Sequence, residues 1–259
     1  MAGALKSTSD GQTLVLTLSN PDHKNALGPD IYAAGIEALN AAETNPDIRS
    51  VVITGEGPMF CAGGDLNRLQ ANRRLPPAVQ ADSIEGLHNW IDSIRTYPKP
   101  VIAAVEGAAA GAGFSLALAC DFIVAAENAL FVMSYSSVAL SPDGGGSWAL
   151  ARALPRALAS ELLMCGERIG AERLLALGVV NRTCTAGTAL AEALALAAKL
   201  NARAPNALAS IKELINDAPV STLSEQLASE RGHFVRNLHH ANGAEGISAF
   251  LEKRTPQYR

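Results

Sequence analysis

Apolar positions along the chain recur with two periods. Thr13-Leu14-Val15-Leu16-Thr17-Leu18 alternates polar and apolar, which predicts a half-buried strand, and Asn20-Pro21-Asp22-His23-Lys24-Asn25 supplies turn residues before a helix opening near Pro29. The pattern then repeats. Val51-Val52-Ile53-Thr54 reads as a buried strand ended by Gly55-Glu56-Gly57-Pro58, and Ile84, Leu87, Ile91 and Ile94 fall at helical spacing within Val79 to Ile94. Val101 to Val105 predicts a third strand, followed by a Gly/Ala turn and a small-residue helix from Phe114 to Ala119. Phe122-Ile123-Val124 and Leu130-Phe131-Val132 predict two more short strands. Such alternation implies an α/β fold of parallel β/α units. From Gly144 onward the chain reads as almost wholly helical, with one short strand near Val179-Val180-Asn181. A core over 1–195 and a helical region over 196–259 are expected. In that region Leu208, Ile211, Leu214 and Ile215 make one apolar stripe and Ile247, Phe250 and Leu251 another, for core or for a subunit interface.

Composition narrows the function. The 259 residues are 48% hydrophobic, enough for one large domain or one domain with an appendage. With 21 Lys+Arg against 25 Asp+Glu and a net charge of −4, the chain lacks the basic stripe that displaces counterions from phosphates, so nucleic acid is not an expected partner. The longest apolar run, Gly107 to Cys120, is too short and too rich in Gly and Ala to span a bilayer. Neither the opening Met1-Ala2-Gly3-Ala4-Leu5-Lys6 nor the final Gln257-Tyr258-Arg259 reads as an address, so no membrane association and a cytoplasmic location are expected. Cys61, Cys120, Cys165 and Cys184 form no CxxC pair and have no His at ligand spacing; they are expected as reduced, buried small hydrophobes, without a metal. His23, His233, His239 and His240 lack a partner pattern and are expected on the surface.

Two Gly-rich segments sit at strand ends: Phe60 to Leu66, and Gly107 to Gly113 running into a helix. Such turns either pack helix tightly on strand or converge backbone N–H groups on an anionic oxygen. Neither is a nucleotide motif. Residue 116 is Leu where a dinucleotide fingerprint needs a third Gly, and no GK[ST] follows either turn.

FCAGGDL at 60–66, KPVIAAVEGAAAGAGFSLALACD at 99–121, SPDGGGSW at 141–148 and ISAFLEKR at 247–254 together resemble the enoyl-CoA hydratase/isomerase, or crotonase, superfamily, nearly end to end. The resemblance implies a spiral of ββα units with a C-terminal helical region for trimer or hexamer assembly. It also implies an acyl-CoA thioester as substrate, with coenzyme A entering only as part of it and no other cofactor. The backbone N–H groups of Ala62 and Ala112 are the expected oxyanion hole, Ala112 standing where relatives commonly have Gly. A thioester's α or γ proton becomes acidic only when the enolate oxygen is stabilised, and fixed donors in a dry site supply about 3 kcal/mol each.

Acid and base are where the sequence departs from hydratases of the superfamily. Their two Glu positions hold Ser115 and Tyr135 here. A neutral hydroxyl cannot hold a hydroxide-like water, and a free phenol titrates near ~10, too high for a base at neutral pH. The motifs resemble instead the epoxyphenylacetyl-CoA and Δ3,Δ2-enoyl-CoA isomerases, whose acidic residue corresponds to Asp143. From the residues alone Asp143 also reads as a turn residue or as the N-cap of a helix over Ser147 to Leu154. The resemblance makes it a proton shuttle that takes a proton from one carbon and returns it two carbons away. A hydratase with a non-standard acid and base, a dehalogenase-like enzyme and a non-catalytic acyl-CoA-binding chain are the alternatives; the dehalogenase reading lacks its Trp (Tyr135 here) and its His (Asp92). By the same resemblance the loop of Lys24, Asn25 and Ala26 meets the adenine end of the CoA, Gly64, Asp65 and Leu66 line its pantetheine, Tyr135 faces the substrate, and Phe234 with Lys253 reaches the nucleotide, although Lys24 and Lys253 also read as ordinary solvated cations. Segment 67–85, with Arg68, Arg73 and Arg74, is expected as a loop bordering the acyl pocket.

Overall fold

The computed structural model describes residues 3–259. Its strands and helices follow in the order β1 (Ala4–Asp10), β2 (Thr13–Ser19), α1 (Pro29–Glu43), β3 (Ser50–Gly55), α2 (Leu66–Asn72), α3 (Pro77–Thr96), β4 (Val101–Val105), β5 (Ala108–Ala110) and α4 (Ala112–Ala119). Then come β6 (Phe122–Ala126), β7 (Leu130–Val132), α5 (Gly146–Ala153), α6 (Arg156–Ser160), β8 (Arg168–Gly170), α7 (Ala171–Ala176) and β9 (Arg182–Cys184). Four helices finish the chain: α8 (Ala189–Asn201), α9 (Pro205–Asp217), α10 (Leu223–Leu238) and α11 (Ala241–Leu251).

Two sheets result, one ordered β1-β2-β3-β4-β6-β9 and one ordered β5-β7-β8. The expected parallel pairing holds from β2 through β9, while β1 pairs antiparallel with β2 and β8 antiparallel with β7. β1 escapes sequence reading because it is an edge strand whose Lys6, Ser7, Thr8 and Ser9 lie in solvent, so it carries no apolar alternation. The central strands are buried on both faces. Val51, Ile53, Val101, Ala103 and Ile123 point into the larger core, and their neighbours Val52, Ile102, Ala104 and Val124 point into a smaller one closed by Ala189, Ala193, Leu196 and Ala197 of α8.

Several boundaries differ from expectation. The Gly/Ala turn after β4 contains the short strand β5, because Ala108 to Ala110 pairs in parallel with β7. The strand expected near Val179 lies three residues later, since Val179 and Val180 donate instead to Leu174 O as a helix-ending turn. Segment 67–85 is helical apart from a turn at 73–76: the Asp65 side chain caps α2, and Pro77 opens α3. α8 runs through the expected 195/196 boundary and packs on the large sheet, so the helical extension starts after Asn201. Cys61 is buried, Cys120 and Cys184 are partly covered and Cys165 is exposed, against the expectation that all four are buried. His233 is buried beneath Arg236 and faces Glu213 at 3.6 Å, whereas His23, His239 and His240 are exposed as expected.

Candidate active site

The second Gly-rich turn and the first are held backbone to backbone. Cys61 N–H donates to Ala108 O at 3.0 Å and Ala110 N–H to Cys61 O at 2.9 Å, so residues 60–64 lie along β5 like a further strand. Gly63 has φ +93°, and a Cβ there would stand 2.6 Å from Ala110 O and 3.3 Å from Ala112 N. A Cβ on Gly113 would meet Cys61 O at 2.6 Å. Only glycine at both positions allows this approach.

This packing decides which N–H groups are free. The expectation for Ala62 is corrected: its N–H donates to Lys24 O at 3.0 Å and has nothing left to offer a substrate. Lys24 is presented by a turn with left-handed Lys24 and Asn25, and buried Asn25 locks that turn by accepting from Asn20 N–H and donating to Glu56 O and Met59 O. Among the described residues, Gly64 N–H and Ala112 N–H have no protein acceptor. They stand at the ends of the two apposed segments, Ala112 opening α4, whose first N–H groups have no intrahelical partner. Gly64 was expected only to line the CoA. Its backbone left no side-chain signature, which is why the sequence pointed two residues too early.

Asp143 comes to the same place. Tyr135 Oη donates to Asp143 Oδ1 at 2.6 Å, while the Tyr135 ring lies against Gly111, whose added Cβ would be 3.5 Å from Cζ. Asp143 is not a helix cap: left-handed Gly145 occupies the N-cap of α5 without a side-chain bond. Burial, then the Asp143 charge, push the Tyr135 hydroxyl well above the usual phenol range, so it stays a donor at every working pH. Ser115 is buried and spends its hydroxyl on Asp143 O at 2.9 Å. The Asp143 loop leaves it no room to be larger. A Cβ on Gly146 would sit 2.6 Å from Ser115 Oγ, and one on Gly144 3.0 Å from Ser115 Cβ. The space around Ser115 is thus filled by a loop that brings in a carboxylate, Asp143.

The remaining expected residues spread out. Ala26 and Asp65 line one cleft of about 160 Å³, together with Arg68, but Asp65 Oδ1 is engaged in capping α2 and Leu66 is exposed. Lys24 is exposed; its backbone, not its ammonium, takes part in the site. Phe234 lines a cleft between α9 and α10, and Lys253 is exposed after α11, so the single chain brings neither to Asp143. The sequence places Asn25 in the loop with Lys24 and Ala26 and Arg68 in segment 67–85, but it carries no signal for the bonds by which Asn25 locks its turn or for the Arg68–Ser83 bond. Among the described residues no three His, Cys, Asp or Glu side chains gather as a metal site, and no helix is long and apolar enough to cross a membrane.

Comparisons with known proteins agree with this architecture. A family model described as enoyl-CoA hydratase/isomerase matches residues 9–259. The 1,2-epoxyphenylacetyl-CoA isomerase of Escherichia coli K12 is 38% identical over 95% of this chain and 94% of its own. The 2,3-dehydroadipyl-CoA hydratase of the same organism is 37% identical over 96% and 95%. A crystal structure titled an enoyl-CoA hydratase from Polaromonas sp. JS666 superposes with TM-score 0.99 at 80% identity, covering 99% of this chain and 100% of that one. With the ββα spiral, the apposed Gly-rich turns and a family match over nearly its whole length, the chain belongs to the enoyl-CoA hydratase/isomerase family of acyl-CoA enzymes, with the crotonase fold.

Proposed function

We propose that the protein is an acyl-CoA isomerase that moves a double bond, or opens a ring epoxide, on a CoA thioester. The observation that carries this reading is the exchange at the site: Ser115 has neither charge nor space, while Asp143 is the carboxylate beside the free N–H groups. With a 3-enoyl thioester, Gly64 and Ala112 N–H bind the carbonyl oxygen. The free oxygen of Asp143 takes a proton from C2; the electron pair spreads into a dienolate whose oxyanion the two donors hold. The carboxylic acid then returns the proton to C4, giving the conjugated 2-enoyl thioester and restoring the carboxylate. Tyr135 fixes the other oxygen of Asp143, so one lone pair faces the substrate. No water enters the balance.

The test is spectrophotometric: 3-enoyl-CoA should acquire the absorbance of the conjugated thioester, and Asp143→Asn should lose this while still binding CoA esters. A 3-hydroxyacyl-CoA formed from a 2-enoyl-CoA at a comparable rate would instead establish a hydratase. The similarity to a named hydratase favours that second reading, with Tyr135 or Asp143 recruited to hold the water. We also propose self-association as a homotrimer or hexamer through the C-terminal helices, supported by the exposure of Ile215, Leu223, Phe234, Phe250 and Leu251. Light scattering that finds only monomer would refute it.

A further inference from the structure

One cation near the site has no anion. Arg68, on α2 just after the Gly64 donor, gives Nη1 to Ser83 Oγ at 2.6 Å, and its Nε is buried without any partner. The five ion pairs among the described residues all use other cations. An orphaned guanidinium N–H is expensive, because an unmade bond to a charged group forfeits its full solvation. Tyr32 stands with Arg68: burial pushes its hydroxyl up to about 12, the nearby Arg68 guanidinium pulls against this, and the charge of Asp143 adds to it.

The helix α3 sets the spacing. Tyr32 packs on Gly86, Ser83 lies one turn before Leu87, and Leu87 closes on Gly144 next to Asp143, with a Gly144 Cβ 3.4 Å from its Cδ2. Four residues of helix span ~6 Å, so the polar group lies one helical turn from Leu87, which packs against the loop that carries Asp143. A methyl-ended acyl chain would leave Arg68 Nε unpaired there. A planar anion meets the planar fork.

We propose that Arg68, Ser83 and Tyr32 form an acyl-end subsite for a carboxylate, so that the preferred substrates are short ω-carboxyl acyl-CoA thioesters rather than simple fatty acyl-CoA. This rests on the acyl-CoA reading of the site for its orientation, but it is tested without turnover. Binding of adipyl-CoA, hexanoyl-CoA and free CoA, the first two differing only in the end group, is measured by calorimetry on the native protein. Adipyl-CoA should bind about ten-fold or more tightly than hexanoyl-CoA. Arg68→Met should erase that preference and leave hexanoyl-CoA and CoA unchanged. If wild type binds the two esters equally, the subsite is refuted. If Arg68→Met weakens all three ligands alike, Arg68 anchors a CoA phosphate and the proposal fails. Should Arg68→Met not fold, Ser83→Ala decides: the preference should fall roughly three-fold, and an unchanged preference overturns the assignment. Preference without isomerisation keeps the subsite and removes the isomerase reading; isomerisation without preference does the reverse.

Discussion

Replacing Gly63 with Ala tests whether the close approach of the two Gly-rich turns sets the distance between their donors. A β-carbon at φ +93° costs about 1–2 kcal/mol of backbone strain. It also stands 2.6 Å from Ala110 O, in a strand whose N–H is tied to Cys61 O and which cannot rotate away. Overpacking of that kind costs about 1–3 kcal/mol, for a total of roughly 2–5 kcal/mol. In a chain of this size this lowers Tm by about 5–15 °C. The larger effect is on catalysis, because separating the segments carries Gly64 N–H away from Ala112 N–H, and one lost donor is worth about 10²–10³ in kcat. Circular dichroism gives the Tm, and turnover of 3-enoyl-CoA well below it gives kcat. Gly57→Ala is the control: φ is +75°, yet nothing lies within 4 Å of its Cβ, so it should cost about 1–2 kcal/mol and keep full activity. If Gly63→Ala matched Gly57→Ala in both measurements, the contact would have no role in holding the donors.

Tyr135→Phe removes a charge-assisted bond of about 1.5–3 kcal/mol to Asp143, so kcat should drop ten- to a hundred-fold with KM little changed; a change in KM alone would make Tyr135 a packing residue only. Asp121→Ala leaves Lys212, 11% exposed and 2.8 Å from the lost carboxylate, buried beside Ile94 O without its anion, and should destabilise by about 3–5 kcal/mol, more than the double change with Lys212→Met. Burial raises the Asp121 pKa more than Lys212 lowers it, so the group's stability contribution falls as pH rises above the free carboxyl value near 3.8; Asp121→Asn should flatten that slope in urea titrations between pH 4 and 6. Thiol labelling at pH 8 should show Cys165 reacting first and Cys61, its thiol pushed up to about 12 by burial, reacting only on unfolding; early loss of Cys61 would mean the site opens to solvent.

The amino-acid sequence alone was enough for the strand and helix alternation, because strands buried on both faces, such as Val51 to Thr54, are written in unbroken apolar runs, and helices such as α3 in 3/4 spacing. It also sufficed for the family, and it singled out Asp143 as a candidate proton shuttle because a carboxylate is visible in the residue type itself. It was silent about β1, whose residues other than Leu5 face water, and it mistook helix α2 for a loop because its capping bond comes from a single side chain, Asp65. Tertiary structure alone decided that the Gly64 N–H, rather than that of Ala62, is left without a protein acceptor. Every residue has the same backbone N–H, and which one is free depends on Lys24 O, brought to Ala62 by a turn that Asn25 locks. The same holds for Arg68, Ser83 and Tyr32: they are far apart in sequence, and only the packing of α1, α2 and α3 makes them one polar cluster. Periodicity records which faces are buried; it does not record which backbone and side-chain dipoles are left without partners once burial is complete.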